Sequence, residues 1–486
     1  MHENVNEPRP YTEKFMRPVF LLSVFCGLMS AQQLHVRSAT GSSVQLEWTG
    51  TTGPVTVVRT SGATPQNLAS TGDAKYEDRS INRFATYRYR IVANGKPSNE
   101  VTVGPPPGGV TNAAPLPKNV DAGKFGQASA MAFDENGDPV IAFEWVDPNG
   151  DNDYTDNEVR FVRWSRAEYR WAPTVRVKVV GEIASQNLNP LAIACDAGIL
   201  AIVTPLKGEG GMILLSKDGG ATWSGTALPG VSGQMHAGAA AIHDGKIYLV
   251  VSSEESGGHY VSGPVEDVSA WKDEALPLDA GWKEPPGVNV ALTLDQGRNP
   301  VIAWYEDQQD GDKHRFMVWR PGSKAVAAVE VGHAVDSPSV AIASGGGKLG
   351  LLAAVTLDEK DSDHGVWFTQ SADGSTWSKP SKLPIDGPRS TNLPVDVALD
   401  SRGAIVAVFG SNSGSGNTAC NYPAMSRSSD GVTWRTCGPG KAEGGDFGPQ
   451  PATLHVAEAE NGKAYALWQE TNENRFGQGM LVWHER

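Results

Sequence analysis

The string S-K-D-G-G-A-T-W at residues 216–223 returns in shorter form as S-A-D-G-S-T-W at 371–377 and S-S-D-G-V-T-W at 428–434. One such string constrains little, because Ser, Asp and Gly populate ordinary turns. Three copies constrain more, since each sits at a matching place in a longer repeat. G-D-P-V-I-A-F-E-W (137–145), R-N-P-V-I-A-W-Y-E (298–306) and N-G-K-A-Y-A-L-W-Q (461–469) share one register, and weaker cousins begin near Gly198, Lys246, Lys348 and Ala404. These seven starts recur about every 54 residues, a period that marks an array of like units rather than one ordinary core.

Each unit reads as four strands: an inner one (A-S-A-M-A-F-D, V-N-V-A-L-T-L-D, P-V-D-V-A-L-D), a second, a polar loop, a third (R-F-V-R-W, R-F-M-V-W, M-L-V-W), then an outer one. The repeated S-x-D-G strings resemble the Asp-box of the sialidase-like β-propellers. In that motif the side chains equivalent to Ser216 and Asp218, Ser371 and Asp373, and Ser428 and Asp430 bond the backbone of a hairpin. Its Gly takes a positive φ, and the Trp, here Trp223, Trp377 and Trp434, packs between neighbouring sheets. The motif marks a fold and not an active site. The expectation is therefore an all-β protein whose propeller has seven blades by repeat count, where the resemblance to sialidases implies six. The last unit stops after its third strand, so its outer strand is expected from about 118–124, leaving no edge exposed.

The chain before the array divides in three. Met16-Arg17, an apolar stretch at 18–28 and the small pair Ser30-Ala31 read as a secretory signal over 1–31, with Met16 as a candidate start. Residues 32–103 alternate apolar and polar residues between turn clusters. Trp48 early and Tyr87 with Tyr89 late are similar to the core Trp and tyrosine-bearing strand of fibronectin type III sandwiches. Residues 104–117, with five prolines, read as a stiff linker, and 118–486 as the propeller.

Export to a secreted or periplasmic location agrees with the cysteines. Cys420 and Cys437 flank the third S-x-D-G string and are expected to form a disulfide, while Cys195 lies in an apolar run and reads as a core thiol. A formal net charge of −14 disfavours nucleic acid as a partner. No apolar run suits a membrane span.

Strand order puts the second-to-third-strand loops on the face opposite the S-x-D-G turns, and three of those loops are acidic (147–158, 306–312, 358–363). One of them places Asp147, Asn149, Asp151 and Asp153 on alternate residues, with Glu158 eleven positions after Asp147. That spacing resembles an EF-hand calcium loop, with Asn152 where the pattern has Gly. The competing reading is a solvated hairpin tip.

Catalysis is thinly written. The resemblance implies three arginines on the substrate carboxylate, a Tyr/Glu nucleophile pair and an acid Asp. The first arginine belongs to an R-I-P motif, and the corresponding stretch here, K-F-G-Q-A-S-A at 124–130, has none. Arg298 and Arg389 fall near strand ends and are candidates to face a pocket. Tyr305 and Glu306 are adjacent on a strand and so point to opposite faces. No catalytic set is assigned. The ligand-binding candidates are Trp145, Trp304, Tyr305 and Trp468, whose rings suit sugar faces or inter-sheet packing, together with the two arginines. The reading is a secreted propeller that binds glycan or protein ligands without turnover. Its alternatives are a sialidase-type exo-glycoside hydrolase with a divergent site, and a structural or adhesion protein.

Overall fold

The computed structural model describes residues 31–115, 124–146, 158–177, 192–206, 210–279, 281–283, 290–308, 314–329, 331, 339–355, 365–383, 395–409, 424–436, 450–459, 463–471 and 479–484. The regular structure of these residues is strand apart from one 3-10 turn at Val268–Ala270, and no helix among them is long and apolar enough to cross a membrane.

Near the N-terminus, alternation builds two sheets. Gln33–Ala39, Val44–Thr49 and Lys75–Asp78 form one; Val55–Ser61, Thr64–Thr71 and Tyr87–Ala93, with short flanking strands, form the other. Leu34, Leu46, Trp48, Val57, Tyr89 and Ile91 meet in a single core between them. Asp78 is buried at its edge and is fully partnered: Tyr89 Oη and Arg59 Nη1 each donate to its carboxylate at 2.8 Å.

Seven more sheets follow among the described residues. Their inner, second and third strands are Lys124–Phe133, Pro139–Val146 and Glu158–Ser165; Ala192–Asp196, Ile199–Leu206 and Gly210–Ser216; Met235–His243, Lys246–Ser253 and Gly257–Pro264; Ala291–Leu294, Pro300–Gln308 and His314–Trp319; Ser339–Gly345, Lys348–Val355 and Gly365–Ser371; Val395–Leu399, Ile405–Phe409 and Ala424–Ser428; and Gln450–Ala459, Lys463–Thr471 and Gly479–His484. Each inner strand lies against the next, and the seventh lies against the first. His455 reinforces that seam, its Nε2 donating to Ser129 O at 2.6 Å.

The outer strand of the seventh sheet is Gly109–Pro115, antiparallel to Gly479–His484. It comes from inside the stretch read as a linker, not from 118–124, and reduces the connection to 104–108. The prolines explain the difference: they cluster at 105–107, 115 and 117, so 108–114 keeps every amide for a ladder. Ala113 and Ala114 are buried with Tyr465, Leu467 and Ile141.

The S-x-D-G turns fasten successive sheets. Ser371 Oγ accepts the Gly374 amide at 2.8 Å, and Asp373 Oδ1 accepts the amides of Ser375 and Thr376 at 2.8 and 2.9 Å. Gly374 sits at φ +79°, which a side chain resists. Ser428 and Asp430 repeat the pattern on Gly431, Val432 and Thr433. Ser216 reaches one residue further, to Gly220, while Thr222 donates to Asp218 and holds that carboxyl down to about 2. Trp223 packs edge-on against Phe161 of the first sheet at 5.8 Å, and Trp434 against Phe368 of the fifth at 5.3 Å. Trp377 shares a cluster with Phe316 of the fourth. Arg163 Nη1 donates to Gly219 O and Gln370 Nε2 to Asp430 O, so a turn also receives a polar donor from the preceding sheet.

The N-terminal pair of sheets docks on the first sheet of the ring at the same end. Arg166, 4% exposed, clamps Asp138, 3% exposed, at 2.7 and 2.9 Å. Its remaining donors reach Arg83 O at 2.6 Å and Asn136 O at 3.1 Å. Gly41 N donates to Asn136 Oδ1 at 2.8 Å and Trp164 Nε1 to Gly104 O at 2.8 Å. Burial raises the Asp138 carboxyl while Arg166 pulls it down.

Candidate functional site

The face carrying the second-to-third-strand loops is described at its rim. Asp147, Asn149, Asp151, Asp153, Arg389, Cys420 and Cys437 lie outside the described residues, and of Trp468 only the strand that carries it is described. Cys195 is a free thiol that burial pushes up to about 12, which makes it a poor nucleophile.

In the fourth sheet, Trp304 and Glu306 are fully buried, and Trp304 Nε1 donates to Glu306 Oε1 at 3.0 Å. The other carboxylate oxygen receives Arg315 through Nε at 2.9 Å and Nη2 at 2.7 Å. Arg315 also reaches Asp279 at 2.7 Å and stacks 3.9 Å above the Trp282 ring. Burial raises the Glu306 carboxyl, with Arg315 and Trp304 opposing it. Tyr305 points the other way, into the core beside Phe316 at 5.4 Å. Trp304 and Tyr305 are thus packing residues on the two faces of one strand. Neither ring is available to a sugar.

The first sheet repeats the design. Trp145 is buried with Arg160 4.3 Å above its ring. Arg160 Nε holds Glu158 Oε2 at 3.0 Å, and Arg176 Nη1 holds Oε1 at 3.0 Å. Both oxygens of the residue expected to complete a calcium loop are therefore occupied by guanidinium groups. Arg160 and Arg315 each open an R-F-x-x-W string, a repeat legible in the sequence that marks the rim arginine as well as the third strand.

On the third sheet His259 Nδ1 meets Asp273 Oδ1 at 2.8 Å, and its Nε2 meets the Ser256 carbonyl at 3.0 Å. The hydroxyls of Ser253 and Ser256 contact each other at 2.5 Å. Nucleophile activation needs an imidazole nitrogen on a serine hydroxyl. Here that nitrogen is on a carbonyl, so the group staples the hairpin.

Arg298 is at the opposite end of the ring from Trp145 and Arg315. It lies in an inner-to-second-strand turn, on the face of the S-x-D-G turns, with φ +61°. Three turns share one bonding pattern: Gly137, Arg298 and Gly403 donate to the carbonyls of Asp134, Asp295 and Asp400. Two of them give the left-handed slot to glycine, at φ +75° and +81°. Arg298→Gly is therefore expected to stabilise the fold by about 1 kcal/mol, read as a higher melting temperature. An unchanged or lower value would refute the strain.

No family model matches the chain, and no curated protein matches it. Among solved structures it is similar to a Trypanosoma rangeli sialidase, at 13% identity and TM-score 0.41, over 74% of this chain and 54% of that one. It is similar to the Aleuria aurantia fungal lectin, described as a six-bladed β-propeller, at 14% identity and TM-score 0.37, over 66% and 98%. AofleA from Arthrobotrys oligospora is similar at 12% identity and TM-score 0.41, over 72% and 93%.

Proposed function

We propose that the chain is a secreted seven-bladed propeller with a fibronectin type III-like module in front, and that it binds a glycan or protein ligand on the face of its second-to-third-strand loops without turning it over. The carrying observation is the engagement of Tyr305 and Glu306. Tyr305 is packed into the core, and Glu306 is held by Trp304 and Arg315, so the pair does not act as nucleophile and base. The rim is a rigid frame of arginines fixed on tryptophans, and the loops it carries are acidic, which suits a neutral or cationic ligand.

Calcium belongs to this reading through Asp147, Asn149, Asp151, Asp153 and Glu158, the last of which would share or give up its contacts with Arg160 and Arg176 on binding. The Cys420–Cys437 disulfide belongs to it as a consequence of export. Purified protein is expected to release no sialic acid from a fluorogenic sialoside, yet to bind on a glycan or extracellular-protein array. Turnover abolished by Arg389→Ala would replace this reading with a hydrolase. Silence on both would favour a structural or adhesion role.

A further inference from the structure

Arg298 is not alone on its face. The inner-to-second-strand turns of the fourth, fifth and sixth sheets carry Arg298, Lys348 and Arg402, and these turns abut. A Cβ on Gly347 would lie 3.5 Å from Gln296 Oε1, one on Gly346 would fall 2.3 Å from Gly403 N, and one on Gly403 would lie 3.8 Å from Lys348 Cδ. Gly345 and Gly346 let the fifth turn press onto the sixth, since a Cβ on either would fall within 2.4 Å of that turn's backbone.

The acids of these turns face inward. Asp400, 1% exposed, accepts the amides of Arg402 and Ala404 and pairs with Arg402; Asp295, 17% exposed, accepts the Asn299 amide and pairs with Arg320. Two of the bases face outward and Lys348 is half-buried. Arg402 is 71% exposed and holds Asp400 through Nε and Nη2 only. Arg298 is exposed, and its guanidinium makes no hydrogen bond or ion pair among the described residues. On the first and second sheets acids reach sideways instead, Glu135 and Asp196 accepting the amides of Gly198 and Asp244 on the next turn, while the third sheet carries an exposed base, Lys246, at the position of Lys348. An arc of one base per turn therefore covers three consecutive turns of a chain with net charge −14, and of the three bases Arg402 is paired with an acid of its own turn. One of its members is held in a backbone conformation that two sister turns give to glycine, and strain of that kind is retained where a site over-determines it.

We propose that the arc of Arg298, Lys348 and Arg402 is a docking surface for an acidic peptide segment of a partner protein. Guanidinium groups suit carboxylates through paired hydrogen bonds, and an extended segment presents alternate side chains to one side. A polysaccharide is the weaker occupant, because sugar rings are gripped through aromatic faces and these three turns contain no aromatic residue. The surface lies opposite the loop face and does not depend on the reading given for it.

The test is fluorescence anisotropy of a labelled octaglutamate peptide with the full-length protein. Binding is expected, weakening as salt rises from about 50 to about 300 mM. Arg298→Gly should weaken it about threefold while raising the melting temperature, so that misfolding does not explain the loss. The triple variant Arg298→Gly, Lys348→Gln, Arg402→Gln should weaken it about tenfold or more. No binding, or binding unchanged in the triple variant, overturns the proposal. So does loss on Arg88→Gln with Arg90→Gln in the N-terminal sheets instead. Capture of a polyuronate through the three residues with octaglutamate silent would overturn the choice of occupant.

Discussion

A chain that begins at residue 116 is expected to lose the folded ring altogether. It lacks Gly109–Pro115, so Gly479–His484 is left with one edge unpaired, and Tyr465, Leu467 and Ile141 lose their contacts with Ala113 and Ala114. Ladder bonds contribute about 1 kcal/mol each, so the strand alone represents about 5 kcal/mol, comparable with the whole stability of many domains. A bare strand edge also pairs with other chains. Soluble yield, size-exclusion profile and thermal melting of chains starting at 32, 105 and 116 check this. The chain from 105 keeps the strand and should fold with reduced stability, having lost Arg83 O as a partner for Arg166. If the chain from 116 is monomeric and melts cooperatively near the full-length value, the ring does not need this strand.

Asp138→Ala is expected to destabilise by about 3 to 5 kcal/mol, because it leaves the Arg166 guanidinium buried without a countercharge. Denaturant titration measures it. The paired replacement Asp138→Leu with Arg166→Met should recover part of the loss, since an uncharged pair carries no desolvation penalty. A cost below about 1 kcal/mol for Asp138→Ala would mean that solvent reaches the pair. Proteolysis between the N-terminal sheets and the ring should accelerate in the same variant, since Arg166 bonds both Arg83 and Asn136.

The parts of this fold that were legible in sequence are local ones. Strand alternation and the Ser, Asp and Gly of the repeated turns need only a few neighbours to declare themselves, and the strings R-F-V-R-W and R-F-M-V-W mark third strands for the same reason. Trp145, Trp304 and Tyr305 are buried for a physical cause. When sheets stack side by side, both faces of each are interior, so alternate residues such as Trp304 and Tyr305 enter two different cores and neither parity points to a ligand. The end of the ring on which Arg298 falls follows from strand order alone: first-to-second and third-to-fourth turns share one end of an antiparallel sheet. The closing strand and the Asp138–Arg166 junction required partners far away in the chain, which composition does not reveal. G-V-T-N-A-A-P also has few of the bulky residues that announce a strand.

The same closing strand sets an order of events in folding. Gly109–Pro115 leaves the ribosome before any of the seven sheets exists, and its partner Gly479–His484 emerges last. The seam is therefore the latest contact to form, and its pairing spans nearly the whole array, the kind of non-local closure that slows folding. The entropy of closing so long a loop grows only slowly with its length; the greater hazard is time, because an apolar edge waits exposed while the sheets between are still being made.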